Sequence, residues 1–448
     1  MDVNRGQWGS KIGFILAAAG SAIGLGNIWR FPYIVGENGG GAFVFVYIFF
    51  VLIIGLPYMY AELALGRSVQ LNPVGAIKKA KPNSAWKLVG YLGVLTGLGI
   101  LSFYGVVAGW TVGYVYKMAA GAPGGFSEFI ADPWAVIVLF AFFIMITAFI
   151  VHGGVSGGIE RWSKILMPIF FILLIGLIIY ANTLEGSSAG LAFYLTPDFS
   201  KLTGKTILAA LGQAFFSLSL GMGLMITYGS YLSKKENIIS SGFYIALADT
   251  AIAIMAGLII FPALFSKNMS PDSGPTLVFE IFPKLFAQMP GGMLVGSLFF
   301  ILLSVAALTS TISLLEVLVA YMVDEKKVER KQIVWGAALV TFLLGIPSAV
   351  SQGASPFFSS FKIFPERLAS ADFLSQMSFT FGDVSLALGA LLLSVFVGWI
   401  WGADKASAEI TQGSPVFAKI RGIWVFMIRF FIPLVVFIIL LNVFGIFN

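Results

Sequence analysis

Long runs of mostly apolar residues recur from one end of this chain to the other, and they constrain the fold more than any other feature. A helix of about 20 such residues crosses the roughly 30 Å hydrocarbon layer of a bilayer. Only a helix or a closed barrel satisfies its own backbone there. Eleven helical spans are predicted, near residues 11–35, 41–66, 87–119, 133–151, 161–183, 207–231, 239–266, 291–323, 331–351, 371–402 and 421–446. Charged residues make up 11% of the 448 positions, too few to coat a soluble protein of this size. The expected class is therefore an all-α polytopic membrane protein. Met1 to Ser10 is polar, and the first apolar run lacks a small-residue cleavage site, so no removable signal is expected. The absence of cysteine excludes disulfides and thiolate metal sites.

The loops alternate in charge. Arg67, Lys78, Lys79, Lys81 and Lys87 fill the second connection, Lys234 and Lys235 follow the sixth span, and Lys326, Lys327, Arg330 and Lys331 follow the eighth. Intervening loops carry acids such as Glu128, Asp132, Glu185 and Asp198. Positive loops stay inside. The N-terminus is thus expected in the cytoplasm, the chain in the cell inner (plasma) membrane, and the net charge of +6 in basic loops rather than a nucleic-acid surface.

Two spans are interrupted. The first reads "GFILAAAGSAIGLGNIWRFP", with Gly20, Gly24, Gly26, Asn27 and Arg30 where a continuous apolar helix would have none of them. The sixth reads "LGQAFFSLSLGMGLMITYGSY", with Ser217, Ser219, Gly221 and Gly223 close together. Glycines of this kind also permit simple close packing of helices. Two interrupted spans at matching places in spans one to five and six to ten instead point to a central transport site. An unwound segment frees carbonyls that suit a hard cation and half-helix amides that suit a carboxylate.

"AAAGSAIGLGNIWRFP" followed by "NGGGAF", then "GQAFFSLSLGMG", "AALTSTIS" and "GADKA", resemble the signatures of the neurotransmitter:sodium symporters, and the likeness runs nearly end to end. The resemblance implies a five-plus-five inverted repeat of leucine-transporter type with unwound helices one and six. It implies one transporter domain over residues 1–448: repeat one about 11–183, repeat two about 207–402, and an additional helix about 421–446. The implied activity is Na⁺-coupled symport of an amino acid by alternating access, with two Na⁺ sites, no organic cofactor and no enzymatic activity.

Carried over residue by residue, the first Na⁺ site falls on the Ala22 carbonyl, Asn27, Ser217 and Asp249. The second falls on the carbonyls of Gly20, Ile23 and Ala306 with the hydroxyls of Thr309 and Ser310. Hydroxyls in membrane helices more often bond to their own preceding turn, so "LTS" alone says little. The substrate carboxylate is expected at the Leu25 and Gly26 amides and the Tyr104 hydroxyl. The amine is expected at unwound carbonyls, those of Phe216 and Ser219 included, and the side chain against Ile100, Phe216, Met222, Ser310 and Leu314. Amine-transporting relatives hold an Asp where this chain has Gly24, so the substrate should bring its own carboxylate. Met222 between two glycines suggests an adaptable pocket for neutral hydrophobic L-amino acids, aliphatic to aromatic.

For the inner gate the resemblance implies an Arg5–Asp324 pair with Trp8 and Tyr231 nearby, and a Gly158-to-Pro168 stretch that unwinds or merely kinks. For the outer gate Arg30 lacks its usual partner, because Ser378 occupies that position; Asp372 and Asp383 are the substitutes, or the contact is water-mediated. Glu62 is an intramembrane acid with either a functional or a structural hydrogen bond, and His152 is expected at a polar interface. The chloride-binding positions of animal relatives read Tyr47, Gln213, Ser217, Asp249 and Ala253 here. Asp249 in place of an Asn implies Cl⁻ independence and proton counter-transport. An osmolyte or amine transporter on the same fold is one alternative. A channel or receptor is another, though a channel calls for polar pore rings.

Overall fold

The computed structural model describes residues 6–271 and 278–447. Among these residues every regular element is helical. Among the described residues, nine helices are long and apolar enough to cross a membrane. The pair Lys11–Ala22 and Gly26–Glu37, bent by 52°, makes a tenth. The expected sixth span is divided into Gly204–Ser217 and Leu224–Gly229, each too short to cross by itself. The interruptions in spans one and six are therefore real breaks in the helices.

Burial orders the spans from centre to rim. Lys87–Ala119 and Gly292–Lys326 pack against each other at the centre, with 78% and 72% of their apolar windows buried. Val155–Asn182 and Arg421–Val443 are only 33% buried, so most of their apolar surface is left for lipid. Glycine permits the central contacts: a Cβ on Gly109 would lie 2.9 Å from the Phe140 backbone nitrogen.

Three boundaries differ from expectation. The fifth span begins at Val155 in a wide helical turn, and the Gly158–Pro168 stretch is helical here. Helix continues past the first span's expected end to Glu37. The tenth runs on to Thr411 rather than stopping near 402. The last extension has a clear cause. Glu409 on it receives Arg67 Nε at 2.7 Å and Lys234 Nζ at 3.1 Å, while Arg67 also donates to the Glu236 and Glu409 carbonyls. The Arg67 side chain is fully buried. A guanidinium in that position needs such partners to offset its lost hydration.

Candidate functional site

The first span ends its N-terminal half at Ala22, and Ile23 turns extended. In the sixth, residues 218–223 leave the helix, with Ser219 at φ 54°, Gly221 at φ 86° and Gly223 at φ 75°. The two glycines are needed in two ways. Their φ is costly for other residues, and a Cβ would meet the Leu386 carbonyl oxygen at 2.6 Å or Pro73 Cγ at 2.7 Å. Both breaks border one cavity of about 410 Å³. It is lined by Ala22, Gly24, Leu25, Gly26, Tyr104, Ile100, Phe216, Ser219, Met222, Ser310 and Leu314, together with the partly exposed Arg30, Ser378 and Asp383. The ten residues expected around the substrate, and Ala22 of the first cation set, are thus brought to one space.

Within it, the Leu25 amide donates to the Tyr104 hydroxyl at 3.0 Å. Gly24 is closely packed as well: a Cβ there would come within 2.6 Å of Ser310 Oγ and 2.9 Å of Tyr104 Oη. Phe216 is close under Gly26, and its carbonyl accepts the Ser219 amide at 3.1 Å.

Beside the cavity lie two oxygen-rich clusters. In one, Asn27 Nδ2 donates to Asp249 Oδ1 at 2.7 Å and to Ser217 Oγ at 3.0 Å, and Ser217 Oγ donates to Asp249 Oδ2 at 2.7 Å. Tyr47 donates to Ser217 at 3.0 Å. Asn27, Ser217 and Asp249, the expected first cation set, therefore form one buried network, and Ala22 lines the adjoining wall. In the other, Thr309 Oγ1 lies 3.4 Å from the Ile23 carbonyl oxygen and 2.9 Å from that of Ala306. Ser310 Oγ lies 3.3 Å from the Ser21 and Ile23 carbonyl oxygens. Gly20 packs on Thr309, a Cβ there falling 3.3 Å from Thr309 Cβ. The Ser21 carbonyl was not among the expected groups; a residue's backbone oxygen leaves no mark in the residue pattern.

Bordering the cavity, Arg30 Nη2 pairs with Asp383 Oδ1 at 3.6 Å, with the guanidinium carbon 4.3 Å above the Phe216 ring centre. Asp372 instead caps the helix at Phe373 and accepts from Gln352. The reason Asp383 reaches the face of Ser378 is local. Residues Ser378–Ser385 form a π-helix, and five residues make about one turn of an i→i+5 helix but well over one turn of an α-helix. The pair is about one-third exposed, so Asp383→Asn should change initial uptake by no more than about fivefold, and Asp372→Asn should have less effect. The reverse ranking in uptake assays would assign the gate to Asp372.

At the other end, Arg5 lies outside the described residues, so its expected pairing is not among the contacts seen. Asp324 accepts from the Asn72 amide at 2.8 Å. Trp8 donates its indole N–H to the Tyr228 carbonyl at 3.0 Å and packs on Tyr231, whose hydroxyl donates to Glu316 at 2.6 Å. Arg330 grips Glu316 with two nitrogens. Glu160 receives the Gly9 amide at 2.6 Å and the Ser10 hydroxyl at 2.8 Å. Sequence reasoning passed over Glu316 and Glu160; Glu316 lies within the expected eighth span, where an acid is itself a signal. Glu62 accepts the Gly221 amide at 2.9 Å, which supports the second break. His152 sits in the last turn of its helix beside Trp335.

The sequence profile of the Sodium:neurotransmitter symporter family matches residues 5–122 and 125–447. The sodium-dependent transporter YhdH of Bacillus subtilis is 40% identical over 98% of both chains. The sodium-dependent serotonin transporter of Drosophila melanogaster is 27% identical over 91% of this chain and 72% of its own. The crystal structure of MhsT in complex with L-phenylalanine superposes with a TM-score of 0.87 at 43% identity, covering 98% of this chain and all of that one.

Proposed function

The chain belongs to the sodium:neurotransmitter symporter family, a family of multi-pass sodium-dependent transporters and not enzymes, and from that premise we propose that it carries neutral hydrophobic L-amino acids into the cell with Na⁺. The observation that carries this reading is the convergence of two helix breaks on one cavity that is apolar on its side-chain wall and rich in backbone groups at its polar end. The Leu25 and Gly26 amides and Tyr104 receive the substrate carboxylate. The carbonyls of Phe216 and Ser219 receive its amine. Ile100, Phe216, Met222, Ser310 and Leu314 enclose the side chain. Gly24 leaves the carboxylate to be supplied by the substrate. The binding of L-phenylalanine by MhsT supports a pocket of this size and chemistry.

One Na⁺ is held by the Ala22 carbonyl, Asn27, Ser217 and Asp249 beside the substrate carboxylate. A second is held by the carbonyls of Gly20, Ile23 and Ala306 with Thr309 and Ser310. Both ions bridge the broken first helix to its neighbours, so their binding favours the arrangement in which the halves are held together. The mouth then closes through Arg30, Phe216 and Asp383. Opening at the other end requires Trp8 and Tyr231 to part, with Arg5 and Asp324 completing that closure. The two halves, about 11–183 and 207–402, act as inverted repeats, and the N-terminus lies in the cytoplasm of a cell whose inner membrane holds the chain.

Asp249 supplies a fixed negative charge where a chloride would otherwise be required, and it can return with a proton in place of Na⁺. The test is uptake by the full chain in proteoliposomes, using a panel of amino acids with and without a Na⁺ gradient. Leucine, phenylalanine and their like should accumulate only with Na⁺; preference for glycine, proline or charged amino acids would overturn the substrate class. Replacing Cl⁻ by gluconate on both sides should leave the rate unchanged. Asp249→Asn should slow transport, flatten its pH dependence or introduce a response to Cl⁻. A large loss of wild-type uptake in gluconate would refute the charge-replacement reading.

A further inference from the structure

Where the tenth and eleventh spans meet at the basic end of the bundle, two arginines converge on one carboxylate. Arg421 donates to Asp404 Oδ1 at 2.7 Å and Arg429 to Asp404 Oδ2 at 3.1 Å. Arg421 also donates from Nε to Ser407 at 2.9 Å, and Arg429 from Nε to the Gly398 carbonyl at 3.1 Å. One acid against two guanidiniums leaves a positive charge, and Lys405 and Lys419 nearby in sequence are exposed. This excess sits at a lipid boundary rather than in open water. Arg429 is eight residues inside the eleventh span. Around it Trp399, Ile423, Phe426 and Phe430 are 54%, 66%, 59% and 52% exposed. Trp399 donates to the Arg429 carbonyl at 3.0 Å and meets Phe430 edge-on at 5.2 Å.

We propose that this junction binds the headgroup of an anionic phospholipid, with the phosphate on the outer edges of Arg421 and Arg429 and the acyl chains along Ile423, Phe426 and Phe430. The observations favour a lipid over other anions because charge and apolar surface are contiguous. Cations near a bilayer surface attract anionic lipid, and an arginine within a span directs its head towards the polar boundary. A soluble phosphate would use the charge and leave the apolar strip unused. Asp404 competes for the same guanidinium donors, so it should oppose the lipid.

The test is retention of phosphatidylglycerol, measured by mass spectrometry of the full chain purified from vesicles of phosphatidylcholine with and without phosphatidylglycerol. Wild type should retain the anionic lipid selectively. Arg421→Gln should lower retention by about fivefold, the scale of one interfacial cation, and the double change with Arg429→Gln by more. Arg421 lies at the exposed edge, so the single variant keeps the test open if the double one fails to fold. Asp404→Asn separates binding from structure: loss of a purely structural ion pair would leave retention unchanged or lower, whereas removal of a competing acid should raise it. Unchanged retention in Arg421→Gln, lower or equal retention in Asp404→Asn, or equal displacement by soluble glycerol phosphate would each overturn the proposal. So would self-association of the chain through this face in place of lipid.

Discussion

Replacing Thr309 and Ser310 together by alanine is expected to abolish Na⁺-driven amino acid accumulation while leaving the chain folded. Their hydroxyls stand 3.3 to 3.4 Å from carbonyl oxygens of the broken first span. Those distances are long for hydrogen bonds, and the oxygens are grouped around a common space that suits a hard cation. Each hydroxyl also has a partner elsewhere or is small, so its removal leaves little strain: Thr309 already bonds to Ala306 in its own helix at 2.9 Å. Losing two oxygen ligands should weaken Na⁺ binding by roughly 30- to 150-fold, on the scale of 1 to 1.5 kcal/mol per lost contact. The measurement is the Na⁺ dependence of uptake and of substrate binding. Thermal unfolding without Na⁺ should match wild type. Undiminished accumulation, or a variant that still shows the wild-type Na⁺ dependence, would remove the second cation site from the mechanism.

Gly24→Asp is expected to stop uptake of neutral amino acids almost completely, by a factor of roughly 100 or more, because it leaves like charges together in a partly dry space. The new Cβ would begin 2.6 Å from Ser310 Oγ and 2.9 Å from Tyr104 Oη. The added carboxylate would then compete with the substrate's own for Tyr104 and the first-span amides. Gly24→Ala separates size from charge. A methyl group asks the Ser310 hydroxyl to rotate and the Tyr104 hydroxyl to give by a few tenths of an ångström, both being side-chain ends, so that variant should retain part of the activity. Equal losses in the two variants would show that space alone matters at this position. Retention of leucine and phenylalanine uptake by Gly24→Asp would mean that the carboxylate is bound elsewhere.

The sequence by itself determined the class, the places of the spans and the positions of both breaks. Those properties are local: an apolar run has no stable place but lipid or core, and a Gly cluster with polar neighbours cannot sit against lipid. Span three was legible to the residue, Lys87 to Ala119. The residues around the cavity were legible only through their likeness to a family, since Ile100, Phe216, Met222 and Leu314 carry no mark that distinguishes them from ordinary core. Tertiary structure alone decided which acid faces Arg30. Counting along an α-helix separates Asp383 from the gate, and a π-helical turn returns it there. It also decided that Ser21 offers its carbonyl to Ser310, and that Arg67, at the end of the second span, holds Glu409 in the last turns of the tenth. In each case the deciding quantity is a distance between segments far apart in the chain or a turn one residue wider than usual. A residue pattern encodes which groups are present and their spacing along the chain. Their angular register and their partners across the bundle are set only when the helices pack.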